Sequence, residues 1–194
     1  MSDRSLDVGY FDRLYAANPD PWRFETSAYE HAKYAATIAA LPRARYRRGV
    51  EIGCSIGVLT EQLATKCDGL LGVDVAAAAL ATARSRCARL DNVEFAQLSF
   101  PDDRPEGNFD LIVMSEVLYY FDKTRMPALA DTIIAMAIKG ADIVLIHWLG
   151  PTPDYPMTGD AAVEAFIAAV GARATVGVQQ RQDAAYRMDC LRGV

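Results

Sequence analysis

Glu51, Gly53 and Gly57 stand in the run Val50-Glu51-Ile52-Gly53-Cys54-Ser55-Ile56-Gly57, an apolar segment that enters a turn of small residues. Small residues let a backbone pass close to a ligand. The next acidic residue at the end of an apolar run is Asp74, and 74 − 53 = 21 positions separate it from Gly53. That spacing suits a carboxylate at the tip of a second strand that accepts hydrogen bonds from both hydroxyls of a ribose. A dinucleotide fold instead shows G-x-G-x-x-G, with a pyrophosphate seated on the helix N-terminus. Here the pattern is E-x-G-x-x-x-G, and Glu51 would repel a pyrophosphate. It attracts a cation. S-adenosylmethionine (SAM) carries a sulfonium and an ammonium, so the electrostatics favour SAM over NAD. A plain βαβ unit with a tight turn is the competing reading.

Further candidates follow later strands. Glu116 comes after the apolar run Phe109 to Met114, and His147 ends the run Ala141 to Ile146 beside Trp148. A carboxylate or an imidazole at such a place can take a proton from a reacting group. A salt-bridged surface residue and a histidine satisfied by backbone are the plainer readings. Tyr119, Tyr120, Trp148 and Tyr155 can stack on the C–H face of a sugar or pack in the core. Trp22, in the loop Asn18-Pro19-Asp20-Pro21-Trp22, either covers a reacting group or anchors the N-terminal segment. Lys33 could bind the SAM carboxylate, but reads more plainly as part of a solvated helix face, and Cys54 reads as small filler in the turn rather than a nucleophile.

The elements that position these residues alternate. Ser27 followed by Glu30 reads as a capping box that starts a helix, with Tyr34, Ile38 and Leu41 on one face and Pro42 as its stop. Strands are expected at 49–52, 70–73, 92–96, 109–114 and 141–146, and helices at 58–66, 76–90, 125–137 and 159–170. Pro127 falls in the first turn of one helix. Gly140 is expected to end that helix, and Gly171 the next. Segments 172–179 and 186–191 read as two closing strands. This is an α/β chain: a mostly parallel seven-stranded sheet, an antiparallel edge hairpin, and helices on both faces. The Pro-rich loop Gly150 to Pro156 follows the fifth strand, at the edge where open α/β sheets bind ligands.

The chain of 194 residues is 52% apolar and 23% charged, and 20 basic against 25 acidic residues give a net charge of −5. One domain with a full core follows, in two segments: an N-terminal helical lid or substrate segment, 1–44, and a core, 45–194. The charge argues against a nucleic-acid partner. No apolar stretch is long enough to span a membrane. The polar start shows no export signal, and four cysteines without metal-like spacing suit a cytoplasmic enzyme with reduced thiols and no metal.

The motifs resemble those of class I SAM-dependent methyltransferases, which have a Rossmann-like fold. Glu51, Gly53 and Gly57 match the superfamily's first motif, Asp74 its acidic second-strand residue, and Phe109 to Phe121 its fourth-strand motif. The resemblance implies cofactor contacts from Trp22, Glu51, Gly53, Cys54, Ser55, Gly57, Asp74, Val75, Leu98, Ser99 and Ser115. Ser55 replaces the usual middle glycine, and Ser99 stands where many members carry an aspartate beside the adenine.

A closer resemblance spans nearly the whole chain. Tyr15 to Phe24, Ser27, Tyr29-Glu30 and Lys33-Tyr34, with Gly53 to Gly57 and Ser115 to Tyr120, are similar to the nodulation protein S (NodS) family. That implies an N-methyltransferase of Nod-factor synthesis, with S-adenosylhomocysteine (SAH) as product. Its acceptor would be the free amine at the non-reducing end of a chitooligosaccharide. Glu116 and His147 would then be the catalytic candidates, and Tyr119, Tyr120, Trp148 and Tyr155 the substrate contacts. A methyltransferase on another small molecule and a SAM-binding protein without turnover remain as competing readings. Replacing Asp74 by alanine removes charge-assisted hydrogen bonds worth ~1.5–3 kcal/mol. Titration calorimetry with SAH should therefore show binding at least about tenfold weaker; an unchanged dissociation constant refutes the ribose assignment.

Overall fold

Burial sets the length of the first strand. Tyr46, Val50 and Ile52 are all buried, so β1 runs over Tyr46–Ile52, three residues longer at its start than its apolar core suggests. The computed structural model of the chain describes residues 4–182 and 185–193. The first three residues of the polar start, 183–184 between the closing strands, and 194 lie outside them. The chain divides into two compact units.

The first unit is Asp7–Ser99. Helix α1, Val8–Ala17, opens it; Asp7 caps it by accepting from the Tyr10 N–H at 2.8 Å. This helix is absent from the expected elements, although Asp7 followed by Phe11 and Tyr15 at a spacing of four carries its signal. Helix α2, Ala28–Ala40, begins after Ser27, whose side chain accepts from the Glu30 N–H. Only this half of the capping box forms, because the Glu30 carboxylate turns to Lys33 instead. Next come β1, α3 (Val58–Leu63, prolonged by a 3₁₀ turn to Lys66), β2 (Cys67–Asp74), α4 (Ala77–Arg86) and β3 (Val93–Gln97). The order β3-β2-β1 is parallel throughout, with Ile52 beside Val73 and Val73 beside Ala96. Helix α4 stops four residues before the expected Leu90. Arg84 and Arg86 occupy its last turn, where cations suit the carbonyl end.

The second unit joins the segment ending at Leu6 to the chain from Phe100 onward. It holds β4 (Phe109–Ser115), a 3₁₀ turn (Leu118–Tyr120), α5 (Met126–Met136), β5 (Ala137–Trp148), α6 (Gly159–Val170), β6 (Ala174–Gln182) and β7 (Tyr186–Gly193). The order is β4-β5-β7-β6: β4 and β5 are parallel, and β7 pairs antiparallel with both β5 and β6. Gly140 does not end α5. The helix stops at Met136 and the chain passes directly into β5, with Gly140 inside that strand at φ 74°. Register explains this: Phe109 faces Ala137 but Leu111 faces Asp142, so extra residues of β5 bulge outward, and glycine takes the left-handed conformation the bulge needs. The parallel pairs with an antiparallel edge hairpin, and helices alternating with strands, match the expected fold class.

Candidate functional site

In the first unit the turn after β1 is folded onto the end of β2. The Gly53 and Cys54 N–H groups donate to the Val73 carbonyl at 2.8 and 2.9 Å. Gly53, Ser55 and Gly57 all have positive φ, at 76°, 50° and 80°. At Gly57 a Cβ would lie 3.0 Å from that of Ala83, so its lack of a side chain also lets α4 approach. Asp74 is buried, and its carboxylate accepts from the Ser55 N–H at 2.8 Å and the Ala76 N–H at 2.9 Å. Burial pushes its pKa up, opposed by hydrogen bonds from the backbone of Ala76, Ser55 and Val75. The Leu98 N–H donates to the Asp74 carbonyl, and Gln97 to that of Val75. The fold thus gathers Gly53, Cys54, Ser55, Gly57, Asp74, Val75, Leu98 and Ser99 around one strand end.

Glu51 is 2% exposed and accepts from the Thr60 hydroxyl of α3. Burial raises its pKa to about 8; the Thr60 hydrogen bond opposes this, and the charge of Asp74 adds to it. A cation brought beside such a carboxyl would hold it ionised. This donor set fits the ammonium and ribose of a sulfonium nucleoside.

Tyr15 of α1 also reaches the turn: its hydroxyl and the Ser55 Oγ share a hydrogen bond at 2.5 Å. The sequence reading missed Tyr15, since its partner lies 40 positions away. Trp22 meets Tyr15 edge-on at 5.9 Å and stacks on Phe24 at 5.5 Å. It therefore belongs to an aromatic row with Tyr15 and Phe24. Lys33 departs from expectation: it is 2% exposed, paired with Glu30 at 3.0 Å and set over the Tyr29 and Tyr34 rings, not on a solvated face.

In the second unit β4 ends at Ser115, and Glu116 follows at φ 57°, a strained conformation for a residue with a side chain. One Glu116 oxygen accepts from the Tyr119 hydroxyl and from the Trp148 N–H, both at 2.8 Å. His147 is fully buried, and its Nε2 accepts from the Leu118 N–H at 2.9 Å and the Val117 N–H at 3.3 Å. In the neutral ring the proton then sits on Nδ1. Two backbone N–H groups thus occupy His147 Nε2, and the ring caps the 3₁₀ turn. Tyr119 stacks on Tyr155 at 5.2 Å, and Tyr120 meets Tyr155 edge-on at 4.9 Å. Burial and the nearby Glu116 charge push the Tyr119 phenol well above its usual range, so it stays a donor. Gly150 lies against the Trp148 indole, where a Cβ would come within 2.2 Å of the ring. Beside His147 in register, Arg187 is buried between Asp189 (2.8 Å) and Asp160 (2.7 Å). Among the described residues no cluster of histidine, cysteine and acidic side chains could hold a metal, and no helix is long and apolar enough to cross a membrane.

A glycine turn after the first strand, an acidic residue at the tip of the second and alternating helices define the Rossmann-like fold of class I methyltransferases. The family described as nodulation protein S (NodS) matches residues 11–148, and the chain belongs to it. Nodulation protein S of Bradyrhizobium diazoefficiens is 34% identical over 119 residues, 60% of this chain and 57% of that protein. That of Rhizobium tropici is 30% identical over 154 residues, 74% of this chain and 64% of its own length. The chain thus spans less than two thirds of the curated relatives it matches. Among solved structures, N-methyltransferase NodS from Bradyrhizobium japonicum WM9, in complex with SAH, is 26% identical with a TM-score of 0.79. That match covers 97% of this chain and 99% of the other. A putative methyltransferase from Pseudomonas syringae is 32% identical with a TM-score of 0.71, covering 86% and 99%.

The raised Glu51 pKa makes a stability prediction. Unfolded, a glutamate titrates near 4.3; folded, Glu51 titrates at about 8. Its contribution is fully present below the lower value and is lost as pH rises toward 8. Replacing Glu51 by glutamine should raise the melting temperature of the ligand-free protein at pH 8.5 and leave it nearly unchanged at pH 4. Equal shifts at both pH values would remove the assignment.

Proposed function

We propose that the chain is a SAM-dependent N-methyltransferase of Nod-factor synthesis. Its acceptor is the free amine on the non-reducing-end sugar of a deacetylated chitooligosaccharide. The observation that carries this reading is a buried, cation-seeking Glu51 behind a glycine turn tied to Asp74, in a member of the NodS family. The Bradyrhizobium japonicum relative, an N-methyltransferase in complex with SAH, supports it.

When bound, SAM supplies a methyl group on positively charged sulfur, open to in-line displacement by a nucleophile. Glu51 would hold its ammonium and Asp74 its ribose. The backbone of Gly53, Cys54, Ser55 and Gly57 would pass close to it, and Val75, Leu98 and Ser99 would hold the adenine. Trp22 would complete this set within the first unit, with the helical residues 7–44 as a lid on the turn. Among the second unit's residues, Glu116 accepts the proton of the acceptor amine, oriented for this by Tyr119 and the Trp148 N–H. His147 is a positioning residue: it fixes the turn that carries Tyr119 and Tyr120. Tyr119, Tyr120, Trp148 and Tyr155 form the apolar sugar contact. A glucosamine-type amine loses its proton near neutral pH, so one carboxylate suffices. Four free cysteines suit a cytoplasmic location.

Transfer of radiolabelled methyl from SAM should label partly deacetylated chitooligosaccharides and leave fully N-acetylated ones unlabelled. Equal labelling of both removes the amine assignment; labelling of other amines alone transfers the chemistry to a different acceptor. Replacing Glu116 by glutamine should lower kcat about 10²-fold at pH 7. The deficit should narrow toward pH 9, as solution conditions take over deprotonation. A loss independent of pH means that Glu116 acts only through structure.

A further inference from the structure

Ser55 holds a left-handed conformation, φ 50°, that glycine adopts freely and serine rarely does. Its N–H donates to Asp74, so the residue cannot relax without breaking one of the bonds that tie the turn to β2. Its side chain has a specific partner: the Tyr15 hydroxyl, from a helix 40 positions earlier, on its Oγ at 2.5 Å. Tyr15 is itself fixed. It is 5% exposed, its ring packs against Trp22, and Trp22 stacks on Phe24. The same phenol lies within electrostatic reach of Asp74 and Cys54. Helix α1 is thereby attached to the part of the turn that carries the ligand-facing backbone.

We infer that Tyr15 is a positioning residue of the cofactor turn: by holding the Ser55 hydroxyl it keeps Ser55 left-handed with its N–H on Asp74, and so sets the affinity of the turn for the adenosyl ligand. The inference rests on the reading of the turn as a SAM site. Serine at position 55 and tyrosine at position 15 work as a pair, in place of the freedom a glycine would give. Replacing both partners by apolar or small groups leaves no buried group unsatisfied, whereas removing one does. Their effects are therefore coupled.

The experiment is a double-variant cycle on the full chain, read by SAH calorimetry, steady-state kinetics and ligand-free melting. Y15F should weaken SAH about 5–10-fold and raise the KM for SAM, with kcat changed less than twofold. S55G should be coupled to it, so that Y15F/S55G binds SAH within twofold of the unsubstituted protein. Two results overturn the inference: losses that add in the double variant, or a Y15F protein that melts lower yet binds SAH as before. An unsubstituted protein that shows no SAH binding overturns the SAM-site reading, and this inference with it. That outcome is distinct, because it appears before any substitution is made.

Discussion

The Asp74 carboxylate is the interaction on which the first unit's site depends. It is buried at the tip of β2, where ionisation is costly, and backbone N–H groups of Ser55, Val75 and Ala76 offset that cost. The dependence is mutual. Without the carboxylate, the Ser55 N–H loses its acceptor and the turn is held to β2 only by the Gly53 and Cys54 bonds to Val73; without the turn, the carboxylate loses a donor. Glycines make the closeness possible. Gly57 lies against Ala83, and at Gly72 a Cβ would meet the Phe95 ring at 2.6 Å. A larger residue at either place would push α4 or β3 away from the strand end that Asp74 occupies.

Glu51 shows what such a site costs the fold. A carboxyl completely enclosed and raised to about 8 opposes folding as pH rises through neutrality. In the ligand-free chain it stabilises nothing by its charge. A cationic ligand reverses the sign, since the same enclosure that disfavours a lone charge strengthens its attraction to a partner. The second unit uses strain and hydrogen bonds in a comparable way. Glu116 stands at positive φ, its carboxylate fixed by Tyr119 and the Trp148 N–H, while His147 caps the turn between them. The bonds that Tyr119 and the Trp148 N–H share on one Glu116 oxygen favour one geometry, because breaking either leaves a largely enclosed donor unsatisfied.

Much of this was legible beforehand because it is local. Apolar runs marked the strands, and Pro127 stands in the first turn of α5. The spacing from Gly53 to Asp74 reflects one β–turn–α–β passage, whose length is set by the elements themselves. Lys33 and Gly140 were read wrongly for one shared reason. Periodicity locates a residue on its own element, not what packs over it. Lys33 lies over the Tyr29 and Tyr34 rings and against Glu30, and Gly140 serves a register shift between two strands rather than a helix end.

The amino-acid sequence by itself determined the alternating elements, the acidic residue after the second strand and the set of side chains available to the site, all fixed by residue type and short spacing. Tertiary structure decided which nitrogen of His147 is an acceptor, which hydroxyl meets Ser55, and that Glu51 is enclosed. Those are properties of groups brought together from distant positions. Hydrogen-bond direction and the free energy of a charge depend on the neighbours that folding supplies.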